Sequence, residues 1–261
     1  MKDKVRKITM TQEQLEKEVP RIIENMKEKL NSSGCKGVII GNSGGKDCAV
    51  VIGLAKIAFG AENVYTLAMP CHSIPEDLED AKIVADHFGV KLDVMDIAAT
   101  YEVEKEKIEA TINEKLSDES LVNLKPRIRM STLYTIAQTK GYLVFGTGNL
   151  CERYVGYFTK HGDGAYDYNP LAEFTVEEVY QIARFIGVPE RILQKAPADG
   201  LGKLTDEEKL RVTYREIAEV AIYGTTENEE SLERIKRLHR NSRHKFVDNI
   251  YHRSEESKVY N

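Results

Sequence analysis

Apolar residues recur along this chain with two alternating periods. Residues 37–41, Gly-Val-Ile-Ile-Gly, form a short apolar run bounded by glycines, the pattern of a buried strand. Ala49, Val50, Val51, Ile52 and Leu54 then read as the first turns of a helix that starts at Asp47. The pairing repeats: residues 64–69 predict a strand before a helix over 76–87, and residues 90–94 a strand before a charged helix over 100–115. Residues 126–140 read as helix and 142–145 as a fourth strand. Upstream, Leu15, Val19, Ile22, Ile23 and Met26 fall near helical spacing, so residues 11–30 predict a leading amphipathic helix. Strand–helix alternation implies parallel strands joined by right-handed crossovers, hence an α/β fold: a doubly wound parallel sheet with helices on both faces. Ligands in such sheets bind at the carboxyl ends of the strands. The loops after Gly41, Met69 and Phe145 are therefore expected to converge.

Residues 146–170 are rich in glycine and aromatics and show no clear period. So long a loop is usually functional or disordered, and Tyr154, Tyr157, Phe158, Tyr166 and Tyr168 argue against disorder. Helices are expected over 175–186, 206–223 and 228–240. Residues 196–204, with Pro197, Gly200 and Gly202, read as a mobile loop that serves as a lid.

Composition narrows the class without choosing a chemistry. The chain has 261 residues, 41% hydrophobic and 30% charged, which suits a soluble globular protein. A net charge of −5 argues against general nucleic-acid binding. Residues 1–18 are densely charged and lack the apolar core of a signal peptide, and the run over 49–55 stops at Lys56, so neither secretion nor a membrane is expected and the cytoplasm is. Four scattered cysteines, Cys35, Cys48, Cys71 and Cys151, with no C-x-x-C pair argue against a zinc site, a thioredoxin-like centre and a disulfide scaffold.

The candidate chemistry begins at Gly41-Asn42-Ser43-Gly44-Gly45-Lys46-Asp47-Cys48. A strand, a glycine-rich turn and a helix N-terminus together make an anion site, because backbone N–H groups point outward and the helix dipole favours negative charge. The turn is not a Walker A loop: Ile40 stands where the first glycine is needed and Asp47 replaces the metal-binding hydroxyl. The Gly-x-Gly-x-x-Gly fingerprint is absent as well. After the fourth strand, Gly146-Thr147-Gly148-Asn149-Leu150-Cys151-Glu152 offers Thr147 to a nucleotide and Glu152 as a hard oxygen ligand. Mg²⁺ is commonly held by one or two carboxylates plus substrate phosphates, so Asp47 and Glu152 form such a pair if their loops meet. Taken singly, Asp47 also reads as a helix N-terminal charge and Glu152 as a solvated one.

The first loop resembles the SGGxDS loop of the PP-loop ATP pyrophosphatases, which cleave ATP between its α and β phosphates. Two further strings are more specific: Gly156-Tyr157-Phe158-Thr159-Lys160-His161-Gly162-Asp163-Gly164 followed by Asp167-Tyr168-Asn169-Pro170, and Asn123-Leu124-Lys125-Pro126-Arg127-Ile128-Arg129. With them the chain resembles the NAD synthetase family over most of its length, as far as Arg243-His244-Lys245-Phe246. The resemblance implies an adenine-nucleotide-hydrolase-like fold and a two-step amidation. The carboxylate of deamido-NAD attacks the α-phosphorus of ATP, and ammonia then displaces AMP. It implies that residues 41–48 and Thr147 bind ATP, and that Asp47 and Glu152 hold Mg²⁺. Arg127, Lys160, Asp167, His244 and Lys245 would bind deamido-NAD. No catalytic side chain is singled out.

The resemblance also implies a homodimer and, for residues 1–261, a single synthetase domain without a glutaminase domain, hence ammonia as the nitrogen source. Three positions depart from the family pattern: Cys48 replaces a serine, Val176 an ATP-contacting lysine, and Ala198 a serine or threonine. Two rivals stand beside this expectation. A tRNA-modifying PP-loop enzyme would want paired cysteines and a basic face. A nucleotide-binding module without turnover is the other, motivated by those departures.

Overall fold

The computed structural model describes residues 6–195 and 205–246. The loop expected over 196–204, with Ala198, lies outside the described residues. The elements run α1 (Gln12–Ser33), β1 (Gly37–Gly41), α2 (Lys46–Phe59), β2 (Val64–Ala68), α3 (Pro75–Phe88), β3 (Lys91–Val94), α4 (Ala98–Ile112), α5 (Asp118–Lys140) and β4 (Tyr142–Phe145). After them come α6 (Leu150–Val155), α7 (Val176–Phe185), α8 (Glu190–Leu193), α9 (Asp206–Leu210), α10 (Tyr214–Tyr223) and α11 (Glu229–Ser242).

All strand pairs are parallel and the sheet order is β3-β2-β1-β4. Period-two alternation sends neighbouring side chains to opposite faces. Val38, Ile40, Val64, Leu143 and Phe145 pack with α1, α2, α3 and α7, whereas Ile39, Tyr65, Leu67 and Val144 pack with α4 and α5. The sheet is thus covered on both faces, the doubly wound α/β arrangement its sequence implies. A third core joins Ile8, Cys151 and Val155 to Tyr214, Ile217 and Ile235, so α6, α10 and α11 form a helical layer of their own. Among the described residues no helix is long and apolar enough to cross a membrane.

The strand order places the switch point between β1 and β4. The chain leaves β1 toward β2 and β3, then returns to pair β4 on the other side of β1. A crevice forms where successive crossovers diverge, and ligands of open α/β sheets bind there. It lies between the glycine-rich loop after Gly41 and the loop after Phe145.

Three elements differ from their expected forms. The segment over 206–223 is two helices, because Arg211 takes a left-handed φ of 55° and Thr213 then caps α10 through Glu216 N. α5 begins at Asp118, capped by Ser117, and keeps Pro126 in its interior; packing of Leu124, Pro126 and Ile128 overrides the helix-start signal that proline gives. The aperiodic segment over 146–170 contains α6, too short to show a period, and then adds an edge contact to β4 by a parallel bridge between Phe145 and Tyr168.

A left-handed conformation costs a non-glycine residue about 1–2 kcal/mol. Arg211→Gly should therefore raise unfolding stability, by about 1 kcal/mol after the added freedom of the unfolded chain is offset. Equilibrium urea unfolding checks this, and a loss of stability would mean that the Arg211 side chain does more than end α9.

Candidate active site

The glycine-rich loop is shaped by its neighbours before any ligand arrives. Asn42 continues the β1–β2 pairing, donating its N–H to Leu67 O at 2.9 Å, and its side chain is buried. Its Nδ2 donates to Ala81 O of α3 at 2.9 Å, while its Oδ1 accepts from Gly44 N at 3.1 Å. Gly44 sits at φ +77° with α3 so close that a Cβ would stand 2.6 Å from Asp77 O. Gly45 is the N-cap of α2 and offers no side-chain cap. The first N–H groups of a long, apolar helix therefore lack a side-chain acceptor at the carboxyl end of β1, as an anion site requires.

Cys48 behaves as a brace of this turn. Its Sγ donates to Gly45 O at 3.0 Å and lies 3.4 Å from Ser43 Oγ. Burial pushes the thiol pKa up, so it stays protonated. The substitution of a thiol for a hydroxyl keeps the turn's internal contact.

Lys46 and Asp47 start α2. Lys46 is 94% removed from solvent, and its Nζ meets Asp47 Oδ2 at 2.6 Å and hangs 5.4 Å from the centre of the Tyr180 ring. Burial alone would lower its pKa, yet the charges of Asp47 and Glu152 outweigh burial and hold it above the ordinary lysine value. Glu152 comes from the first turn of α6, which follows the loop after β4. Burial first, and the Asp47 charge second, push its carboxyl far above the usual carboxylate range, with Lys46 opposing both. The two loops have met, and the Asp47–Lys46–Glu152 cluster is where they meet.

Glu152 is no solvated charge but has a local role as well: its Oε2 accepts from Asn149 N at 2.9 Å, and Asn149 Oδ1 accepts from Cys151 N and Glu152 N, a capping box for α6. The cap and the electrostatic pairing coexist in one residue. Asp47 Oδ1 is buried and has no hydrogen-bond partner. An orphaned carboxylate oxygen beside a second carboxylate suits a hard divalent cation. Among the described residues no cluster of three or more acidic, histidine or cysteine side chains is placed to hold a metal, so two protein carboxylates would share such an ion with phosphates and water. Thr147 is half-buried at the carboxyl end of β4, in the same crevice.

A second cluster forms around residues 156–164. Arg127 Nε donates to Lys160 O at 3.3 Å, and Lys160 Nζ donates to His244 O at 2.7 Å. Lys245 Nζ donates to Gly156 O and Phe158 O, each at 2.7 Å, and burial lowers its pKa. Four of the five residues expected to share one substrate are thus linked, although they span more than a hundred positions. Asp167 stands elsewhere: its carboxylate accepts Val144 N at 2.7 Å and the Tyr134 hydroxyl at 3.4 Å, at the edge of β4. It borders a recess of about 440 Å³ with Ser131, Tyr134 and Tyr142.

The comparisons with known proteins join these observations to a family. A family model described as NAD synthase matches residues 18–259. The chain belongs to the NAD synthase family. The NH(3)-dependent NAD(+) synthetase of Carboxydothermus hydrogenoformans is 38% identical over 231 residues, covering 88% of this chain and 94% of that protein. Among solved structures, the NMN synthetase of Francisella tularensis superimposes with a TM-score of 0.83 at 32% identity, covering 88% of this chain and 95% of that one. The NH3-dependent NAD synthetase of Campylobacter jejuni gives 0.72 at 27%, with the same coverages.

Sequence reasoning missed Tyr134 and Tyr180. Tyr180 lies one turn beyond Val176 on α7, so an ammonium group does stand against that helix, supplied from Lys46. Tyr134 carries only the spacing of an ordinary core aromatic, and its approach to Asp167 depends on the fold.

Lys46→Met removes the counter-charge between two carboxylates. Losing one partner of a buried ion pair costs about 3–5 kcal/mol, so this variant should unfold at a clearly lower denaturant midpoint. An unchanged midpoint would show that the carboxylates do not lean on Lys46.

Proposed function

We propose that this chain is an ammonia-dependent NAD synthetase, converting deamido-NAD, ATP and ammonia to NAD, AMP and pyrophosphate. The single observation that carries the reading is the convergence, at the β1–β4 switch point, of an uncapped helix N-terminus with the Asp47 and Glu152 carboxylates. Family membership narrows the chemistry to amidation of a nicotinate carboxylate.

A carboxylate is a poor acyl donor and must be activated. Its oxygen attacks the α-phosphorus of ATP, the bond to the bridging oxygen breaks, and pyrophosphate leaves. The loop over 41–48 receives the phosphates on backbone N–H groups, and Lys46, with its positive charge, stands beside them. A Mg²⁺ held by Asp47 and Glu152 would offset charge on the crowded phosphate oxygens. Thr147 borders the nucleotide from the β4 side. Ammonia nitrogen then attacks the acyl carbon, the carbon–oxygen bond to AMP breaks, and one proton leaves the nitrogen.

The acceptor reads from the second cluster. Arg127, Lys160 and Lys245 gather positive charge around the 156–164 turn, with His244 beside them, and Asp167 with Tyr134 offers hydrogen bonds on the β4 edge. Gly156 supports that geometry, since a Cβ there would fall 2.0 Å from Ser242 Cβ. The described cysteines are all free thiols, three of them buried, which suits a reducing cytoplasm. We infer that the active form is a homodimer using free ammonia. The description of the Francisella tularensis neighbour as an NMN synthetase carries a second reading, amidation of the acid of a mononucleotide.

Product analysis separates the readings. Purified protein with ATP, Mg²⁺ and ammonium should convert deamido-NAD to NAD with one AMP and one pyrophosphate per turnover, and glutamine alone should not replace ammonium. Faster conversion of nicotinate mononucleotide would select the second reading, and release of ADP with phosphate would exclude adenylation. Within the first reading, Lys160→Ala should raise the KM for deamido-NAD by about ten- to a hundredfold, the worth of a charge-assisted contact, and leave the KM for ATP unchanged. Equal KM values in variant and parent would remove Lys160 from the acceptor site.

A further inference from the structure

The wall behind the phosphate loop is α3, and its position is set by charges that come from elsewhere in the chain. Gly44 faces α3 so closely that a Cβ would stand 2.6 Å from Asp77 O, 2.7 Å from Asp80 Cβ and 2.9 Å from Ala81 N. From the loop, Asn42 donates to Ala81 O and accepts from Gly44 N. The loop therefore takes its shape from the α3 backbone over 77–81, by one hydrogen bond and one steric limit.

Asp80, 4% exposed, pins that stretch of α3. Its Oδ1 accepts from Arg191 Nε at 2.9 Å and its Oδ2 from Lys195 Nζ at 3.0 Å. Lys195 Nζ also reaches Asp77 Oδ1 at 2.7 Å. Both cations belong to α8 and the turn that follows it, more than a hundred residues away. A buried carboxylate costs several kcal/mol unless it is paired, and here each oxygen has its own cation. The side chains of Arg127, Lys160, His244 and Lys245 bond to the 156–164 turn, to one another or to α11, and none of their described bonds reaches α3.

We propose that Asp80 is a positioning residue for ATP: through Arg191 and Lys195 it fixes α3 against Asn42 and Gly44, and so sets the seat of the nucleotide's phosphates. The inference rests on the reading of the loop as the ATP site. Backbone donors grip an oxyanion only within hydrogen-bond range, about 2.7–3.2 Å, and a displacement of about 1 Å in a binding group can cost a hundredfold. Releasing α3 from α8 loosens that seat and leaves the acceptor cluster in place.

The test uses Asp80→Asn, Asp80→Glu and Lys195→Met in the full chain. Three readouts are taken: KM for each substrate, equilibrium affinity for ATP without acceptor, and thermal unfolding. Asp80→Asn should raise the KM for ATP and weaken ATP binding by about tenfold or more, with the KM for deamido-NAD within twofold of the parent. Asp80→Glu, which restores the charge, should recover most of that loss. Lys195→Met should show the same selective effect to a smaller degree, and it serves if Asp80→Asn does not fold. In the double variant the two losses should not add, because both break one link. A lower melting temperature with ATP affinity and both KM values unchanged would make Asp80 a structural anchor only and overturn the proposal. So would equal increases in the two KM values. ATP affinity is read without turnover, so absence of NAD synthesis would count against the functional reading and not against this one.

Discussion

Two carboxylates, Asp47 in the first turn of α2 after β1 and Glu152 in the first turn of α6 after β4, gather about the buried ammonium of Lys46. Like charges do not approach in a low-dielectric crevice without a cation, and the cost of desolvating them is several kcal/mol each. Lys46 supplies that cation within the protein, and it rests on Tyr180 of α7. The arrangement ties β1, β4 and α7 to one point. In the proposed reading the same cluster would serve phosphate chemistry: a divalent ion would join a site that already holds a lysine charge, and the nucleotide would bring the negative charge that the extra cation needs. The orphaned Asp47 Oδ1 marks the place where the protein's own bonding is incomplete.

The fold places this point by topology. Because β1 sends its crossovers one way and pairs with β4 on the other side, the two loops open toward each other at the sheet's carboxyl edge. The helical layer of α6, α10 and α11 then carries His244 and Lys245 back to the 156–164 turn. In the proposed reading, an ATP half at the switch point and an acceptor half beside it would bring the two reactants of adenylation together. The Tyr157 and Tyr214 hydroxyls both donate to Asp206, which ties α9 and α10 to the 156–164 turn.

Much of this was legible in the chain because it depends on local chemistry. The strands announce themselves by short apolar runs, and β4 at 142–145 matches its expectation residue for residue. Ser43 to Asp47 carries its meaning in glycines and a helix start, so its place after β1 follows from sequence alone. The division of 206–223 into α9 and α10 was not legible, since one left-handed Arg211 breaks an otherwise continuous pattern. α6 was hidden by its length. The burial of Lys46 was hidden too: a lysine in a glycine-rich loop reads as exposed until α7 and Tyr180 close over it. Asp80 looked like one acid among several at the start of α3, and only packing distinguishes it from the exposed Glu76 and Glu79 beside it. The separation of Asp167 from Lys160 likewise depends on the turn between them, whose hydrogen bonds through Thr159, Gly162 and Gly164 carry no periodic signal.

Asp47 and Glu152 are proposed to act together on one divalent ion at the β1–β4 switch point. A double-mutant cycle measures it most directly: Mn²⁺ affinity by electron paramagnetic resonance, with an α,β-methylene analogue of ATP bound, for the parent, Asp47→Asn, Glu152→Gln and the double variant. The account predicts that each single change weakens Mn²⁺ binding by about tenfold or more, and that the double change costs clearly less than the sum of the two. Strictly additive losses, or a single change that leaves the affinity intact, would contradict it.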